Sequence, residues 1–226
     1  MRNMEETHQM DNHLETEVKF YIEEMGPLRE RLFKLGAIHQ GRVFEKNLRL
    51  DTLDQKLLKQ NALLRLRQAD KATLTFKSKP PIEDTQFKTL TEYEVEVSGF
   101  ESMKTILEAL DFHPIQTYEK WRETFVMGDT LVLMDAMPYG NFLELEGTKA
   151  GILDLVEELG LDWNRRILLN YLAMFEILKK TLNLPFEDVT FSHFSGLQID
   201  LTNFLPGFYP GDQARSSSFP VHDSRP

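Results

Sequence analysis

Charged residues recur in this chain at a spacing of two, and they recur by sign. Glu15-Thr-Glu17-Val-Lys19 opens the pattern. Arg65-Leu-Arg67, Lys77-Ser-Lys79, Glu92-Tyr-Glu94-Val-Glu96, Lys120-Trp-Arg122 and Glu144-Leu-Glu146 continue it, and Asp135 ends an apolar run between the last two. A spacing of two places side chains on one face of a strand. For any one strand the simplest reading is a sheet face open to water. The set resists that reading. A water-facing row mixes Thr, Ser, Gln and both charges, whereas these rows separate acids from bases. An Arg-x-Arg pair repels itself unless an anion lies between or opposite. Turned inward on a common lumen, such charges need partners. A polyphosphate with a divalent cation satisfies both signs. Carboxylates are hard oxygen donors suited to Mg²⁺ or Mn²⁺, and Arg and Lys grip phosphate oxygens. Together they would neutralise charge on a transferring phosphoryl group.

The elements that must carry these rows are legible from the same alternation. Strand-like segments fall at 14–20, 43–51, 62–68, 72–79, 91–97, 118–126, 130–136 and 141–146. Helical patterns follow Pro27 (Leu28, Leu32, Phe33, Leu35, stopped by Gly36) and recur at 101–110, 149–159 and 163–180. A weak echo, in which paired acids lead to a helix and then to a second strand, suggests repeated strand–helix–strand units in one sheet system. Eight antiparallel strands suffice to close a barrel and remove its edges. Closure would give an α+β fold, an eight-stranded antiparallel closed β-barrel with ionic faces inward and helices packed outside. Residues 1–12 read as a flexible tail, 13–182 as the strand-and-helix domain, and 183–226 as a C-terminal appendage without an assigned role. Residues 206–226, rich in Pro, Gly and Ser, are expected to be disordered.

At this point the residues resemble the CYTH superfamily, the triphosphate tunnel metalloenzymes. Glu15-Thr-Glu-Val-Lys19 matches its ExExK signature. Arg65-x-Arg67, Lys77-x-Lys79, Glu92-x-Glu94-x-Glu96, Glu119-Lys120-x-Arg122, Asp135 and Phe142-x-Glu144-x-Glu146-Gly147 follow in the family's order over about residues 13–178. The resemblance implies this closed eight-stranded fold, in which Glu15, Glu17, Glu144 and Glu146, with Asp135 nearby, coordinate Mg²⁺ or Mn²⁺. It implies that Lys19, Arg65, Arg67, Lys77, Lys79 and Arg122 hold phosphates, and that Lys120 either touches phosphate or pairs with an acid. Glu15, Glu17, Lys19 and Arg122 are then the residues closest to the chemistry. Asn47-x-Arg49-x-Asp51 departs from the family's frequent Asp-x-Tyr-x-Asp, so Arg49 either adds a cation or faces out. The implied function is divalent-metal-dependent hydrolysis of an inorganic or organic triphosphate. The alternatives are a class IV adenylyl cyclase, which converts ATP to cyclic AMP and pyrophosphate, and a non-catalytic polyphosphate-binding module. The last is disfavoured because all four family metal carboxylates are present.

Composition bounds the partners. The 226 residues carry a formal net charge of −10 and no cysteine. Disulfides and thiolate metal sites are excluded, and a duplex-binding basic surface is disfavoured. Eight of the 26 bases and eight of the 36 acids fall on the candidate inner face, so the whole acidic excess lies elsewhere. A phosphate ligand would meet a segregated interior and not the average of the chain. The polar start and the lack of an apolar run of about 18–20 residues predict a cytoplasmic chain with no membrane partner. The expected partner is a triphosphate-containing small molecule and not nucleic acid; a homodimer stays open. The six histidines show no metal-ligand spacing and read as surface or packing residues. Gly147-Thr-Lys149 lacks the upstream glycine of a phosphate-binding loop, and Thr148 reads as a helix cap. Trp121 and Trp163 read as core, and Met103, Met134 and Met137 as core or loop filler.

Overall fold

The computed structural model describes residues 13–80 and 82–211. Its elements are β1 (Leu14–Tyr21), α1 (Met25–Lys34), β2 (Ile38–Asp51), α2 (Lys56–Lys59), β3 (Leu63–Gln68), β4 (Ala72–Ser78), β5 (Lys88–Val97), α3 (Phe100–Ala109), β6 (His113–Met127), β7 (Thr130–Met137), β8 (Gly140–Glu146), α4 (Lys149–Glu158) and α5 (Tyr171–Leu182). The strands are joined antiparallel in the order β1-β5-β4-β3-β2-β6-β7-β8, and β1 pairs again with β8, so the sheet runs in a ring. Register sets the charges against one another across the strands. Lys19 lies opposite Glu144, Lys77 opposite Glu92, Lys120 opposite Glu45 and Arg122 opposite Asp135.

The outward rows are apolar and are covered by helices. Val18, Phe20, Val132, Met134, Leu143 and Leu145 pack with Leu32 of α1 and Ile152, Leu155 and Val156 of α4. Leu48, Leu50, Leu64 and Leu66 pack with Leu107 of α3 and Leu57 of α2. Thr148 caps α4 as expected, its side chain accepting from Gly151 N. The four-residue α2 was not anticipated. It forms because Asp51 accepts hydrogen bonds from the backbone N–H groups of Thr52, Leu57 and Leu58 at 2.8–2.9 Å. Asp51 is thus a helix-capping residue that holds orphan donors. The core assignment of Trp121 fails: the residue is 38% exposed, with Arg42 stacked on its ring at 4.6 Å and Phe44 at 5.3 Å.

The helix expected over 163–180 is broken, and the break has a cause. β1 pairs with β5 only from Leu14 to Glu17, which leaves the backbone of Lys19 with a free edge. Ile167 takes that edge: Lys19 N donates to Ile167 O at 3.1 Å and Ile167 N to Lys19 O at 2.7 Å. A 3₁₀ turn, Trp163–Arg165, precedes this bridge, and α5 restarts with the Asn170 side chain accepting from Ala173 N.

The C-terminal segment solves the same problem on β6. β7 covers β6 only from Trp121 to Met127, and Val189 occupies the edge beyond, in parallel register with Tyr118. Val189 N donates to Thr117 O at 2.8 Å, and Glu119 N donates to Val189 O at 2.9 Å. Val189, Phe194, Leu201 and Phe208 join Met174, Phe175 and Leu178 of α5 in a third apolar cluster against Phe142. The expected disorder therefore does not begin at residue 206, because Leu205–Phe208 form a 3₁₀ turn with Phe208 fully buried. The expectations for 1–12 and 212–226 lie outside the described residues. No described helix is long and apolar enough to cross a membrane.

Phe194 packs on Tyr139, Phe175 and Phe186. Its replacement by Ala is expected to destabilise the whole fold by about 3–5 kcal/mol in urea unfolding. A loss below about 1 kcal/mol would show that the segment is not part of the cooperative core.

Candidate functional site

The ring encloses a cavity of about 1070 Å³ lined by the rows the sequence separates by sign. Glu15 and Glu17 reach it from β1 and Glu144 from β8. One oxygen from each of the three lies within 4.8 Å of the others. Glu146 faces Glu17 across the strands and also lines the cavity, outside that trio. Burial, reinforced by Glu17, pushes the Glu15 carboxyl up to about 8 despite Lys77. Burial and then Glu144 and Glu17 raise Glu146. For Glu17 burial is outweighed by Lys19, Lys88 and Lys77, which hold it well below the usual carboxylate range. The cluster is a set of buried hard oxygen donors, which fits a divalent cation of the Mg²⁺ or Mn²⁺ type.

Most of the bases that line the cavity are paired with an acid. Glu94 bridges both arginines of the β3 row, at 3.3 Å from Arg65 and 2.9 Å from Arg67. That bridge answers the self-repulsion of an Arg-x-Arg pair. Thr75 and Thr73 accept from the same guanidiniums at 3.0 and 3.1 Å. Lys77 contacts Glu15 at 2.5 Å and Glu92 at 2.8 Å. Lys19 pairs with Glu17 and lies 3.3 Å from Glu144. Arg122 lies 3.2 Å from Glu144. Lys79 follows the end of β4, half-exposed at the cavity edge and paired with Glu83 at 2.6 Å. Glu96 is drawn off to Lys71 at 2.7 Å.

Asp135 has a different place from the one expected. Asp135 has no exposed surface and is saturated. It accepts from Arg122 at 2.6 and 2.7 Å, from Lys120 at 3.0 Å and from the Tyr171 hydroxyl at 2.7 Å. Burial works against its charge, but Arg122 and Lys120 hold it far below the usual range. It anchors Arg122 and does not join the three-carboxylate cluster. Lys120 spans Asp135 and Glu45 at 3.0 and 3.6 Å. Of the two readings for Lys120, the structure shows the acid pairing.

Arg49 resolves to one of its two expected readings, and Lys88, Glu45 and Tyr171 extend the expected set. Arg49 lines the cavity opposite Arg65, so it faces in. Lys88 bonds Glu17 at 2.7 Å, and burial lowers its ammonium below the ordinary lysine value. The period-two row of β5 runs back through it, but the strand was expected to begin only at 91. Glu45 is 3% exposed and paired with Arg67 at 3.5 Å, and burial is outweighed by Lys120 and Arg122, so that it sits at about 2. It is two residues before Asn47 on the β2 row. Tyr171 enters from α5, and no strand periodicity could have announced it.

Residues 13–167 match the family model for the CYTH domain. The chain belongs to the CYTH family. A Methanocaldococcus jannaschii protein, provisionally named an adenylate cyclase, is 30% identical over 135 residues, 59% of this chain and 76% of that protein. Solved structures share the fold at lower identity. The PH1012 protein of Pyrococcus horikoshii superposes with a TM-score of 0.60 at 21% identity, covering 70% of this chain and 96% of that one. A Vibrio parahaemolyticus protein, also provisionally named an adenylate cyclase, gives 0.62 at 19%, covering 74% and 98%. A Hippeastrum protein of similar provisional name, described as having a dominant triphosphatase activity, gives 0.53 at 18%, covering 72% and 95%.

The raised Glu15 carboxyl predicts a pH signature. Its folded value lies above the ordinary value of 4.5, so the folded chain binds the extra proton between 4.5 and about 8. This contribution to stability is complete below 4.5 and is lost as pH rises through about 8. In EDTA the melting temperature should fall from pH 5 to 8.5, and Glu15→Gln should flatten that fall. Equal slopes for the two proteins would refute the assignment.

Proposed function

We propose that this CYTH protein hydrolyses a triphosphate, inorganic or organic, in a divalent-metal-dependent reaction inside the ring. The observation that carries the reading is the convergence of Glu15, Glu17 and Glu144 within 4.8 Å, in a cavity shared with Lys19, Lys77, Arg65, Arg67 and Arg122. Glu15, Glu17 and Glu144, with Glu146 adjoining, would hold Mg²⁺ or Mn²⁺. When bound, such a cation lowers the pKa of a coordinated water and neutralises phosphoryl charge.

The chain's own part is to bind and orient. Arg65 and Arg67 present planar donor forks to non-bridging oxygens, and Lys77 and Lys19 act as point charges beside the acid cluster. Arg122, fixed by Asp135, offers a cation that does not reorganise as charge develops. Water attacks the terminal phosphorus, the P–O bond to the neighbouring phosphate breaks, and the remaining diphosphate leaves. Family membership and the triphosphatase described for the Hippeastrum relative support hydrolysis. A second reading, cyclisation of ATP with release of pyrophosphate, draws on the name of the Methanocaldococcus relative.

Purified protein with Mg²⁺ or Mn²⁺ and tripolyphosphate, ATP or thiamine triphosphate in turn is expected to release orthophosphate. Cyclic AMP with pyrophosphate would favour the second reading, and tight binding without turnover under either metal would sink both. Glu144→Gln should abolish turnover. Arg67→Ala should chiefly raise KM, by about tenfold to a hundredfold, as charge-assisted bonds of about 1.5–3 kcal/mol are lost.

A further inference from the structure

Tyr171 lies beyond the end of the family match at residue 167, yet its side chain reaches the centre of the charge cluster. Its hydroxyl is 2.7 Å from Asp135 Oδ2 and 3.3 Å from Glu144 Oε2. The same Glu144 oxygen receives Arg122 Nη2 at 3.2 Å and Lys19 Nζ at 3.3 Å. Both hydrogen bonds that this carboxylate accepts among the described residues go to Oε2, and Oε1 accepts none. Tyr171 is itself held firmly. The ammonium groups of Lys19 and Lys120 lie 5.4 and 5.3 Å from its ring centroid, Phe142 meets the ring edge-on at 5.4 Å, and the Tyr139 hydroxyl donates to its carbonyl at 2.8 Å.

We propose that Tyr171 is a positioning residue for the metal-binding carboxylates: its one hydroxyl proton, shared between Asp135 and Glu144, ties Oε2 of Glu144 to the anchored Asp135 and leaves Oε1 for a divalent cation. The proposal rests on the metal-dependent reading above. It makes α5, and the segment from Phe186 to Phe208 that packs against it, part of the working site. A buried phenol that served packing alone would not need to bridge two carboxylates. Removing an outer partner of a metal ligand typically weakens metal binding by about 10–100-fold.

The test is calorimetric titration of Mn²⁺ into the full chain as the unsubstituted protein, Tyr171→Phe and Tyr209→Phe. Tyr171→Phe keeps the ring beneath both lysines and loses only the hydroxyl. It should weaken Mn²⁺ binding by about 10–100-fold, while Tyr209→Phe, which removes a hydroxyl from the C-terminal apolar cluster outside the cavity lining, should stay within about twofold. An unchanged affinity in Tyr171→Phe, or an equal loss in Tyr209→Phe, overturns the proposal and leaves the metal-dependent reading standing. Failure of the unsubstituted chain to bind Mn²⁺ overturns both. A second measurement needs no variant. With ¹³Cζ-labelled tyrosine, the Tyr171 resonance should shift on saturation with Mg²⁺, and a stationary resonance under saturating Mg²⁺ overturns the proposal.

Discussion

The structure depends on one constraint: charges of both signs are buried in a closed ring of strands, where they have only one another. An unpaired charge in such a place costs several kcal/mol, so each must find a partner. β-Strand periodicity fixes which charges face inward, and register fixes which ones meet. Lys77 between Glu15 and Glu92, and Glu94 between Arg65 and Arg67, are the direct results. Replacing such pairs with apolar side chains would often be neutral or stabilising. Their retention is understandable if they hold the places of ligands. In the proposed reaction Glu15 would turn from Lys77 to a bound cation and Lys77 would turn to a phosphate oxygen, so that neither would be left a bare charge.

The rest of the fold serves this lumen. The helices α1, α3 and α4 cover the apolar outer rows, which lets the inner rows be ionic. Closing the ring pairs most strand edges, and at two places where β1 and β6 outrun a neighbour the C-terminal part of the chain supplies a partner. Ile167 covers the free edge at Lys19, and Val189 covers that at Tyr118. Both covers belong to the C-terminal part of the chain, and between them lies α5, which places Tyr171 beneath the acid cluster. The segment that looked like an appendage is a consequence of unequal strand lengths.

Much of this was legible in the sequence because alternation is a local property. The rows Glu15-x-Glu17-x-Lys19, Arg65-x-Arg67 and Glu144-x-Glu146 declare their face and sign without knowledge of the fold. What was not legible is the consequence of pairing. Asp135 carries the same charge as Glu144, and only its position between Lys120, Arg122 and Tyr171 makes it an anchor. Asp51 continues the β2 row but serves as a cap, because the chain turns there into α2. The apolar spacing over 163–180 reads as one helix, since the demand of the Lys19 backbone for a partner appears nowhere in the local pattern.

The most direct test of the central claim is the coupling between the two ligands. Mg²⁺ affinity would be measured by calorimetry with and without saturating imidotriphosphate, a triphosphate that resists hydrolysis. If the ion pairs hold places for a cation and a phosphate that exchange partners, the triphosphate should tighten Mg²⁺ binding by about tenfold or more, beyond the tightening that Mg²⁺ and imidotriphosphate show for each other in free solution. Lys77→Met, which removes the shared partner, should erase most of that gain. Equal Mg²⁺ affinity with and without the triphosphate would contradict the account.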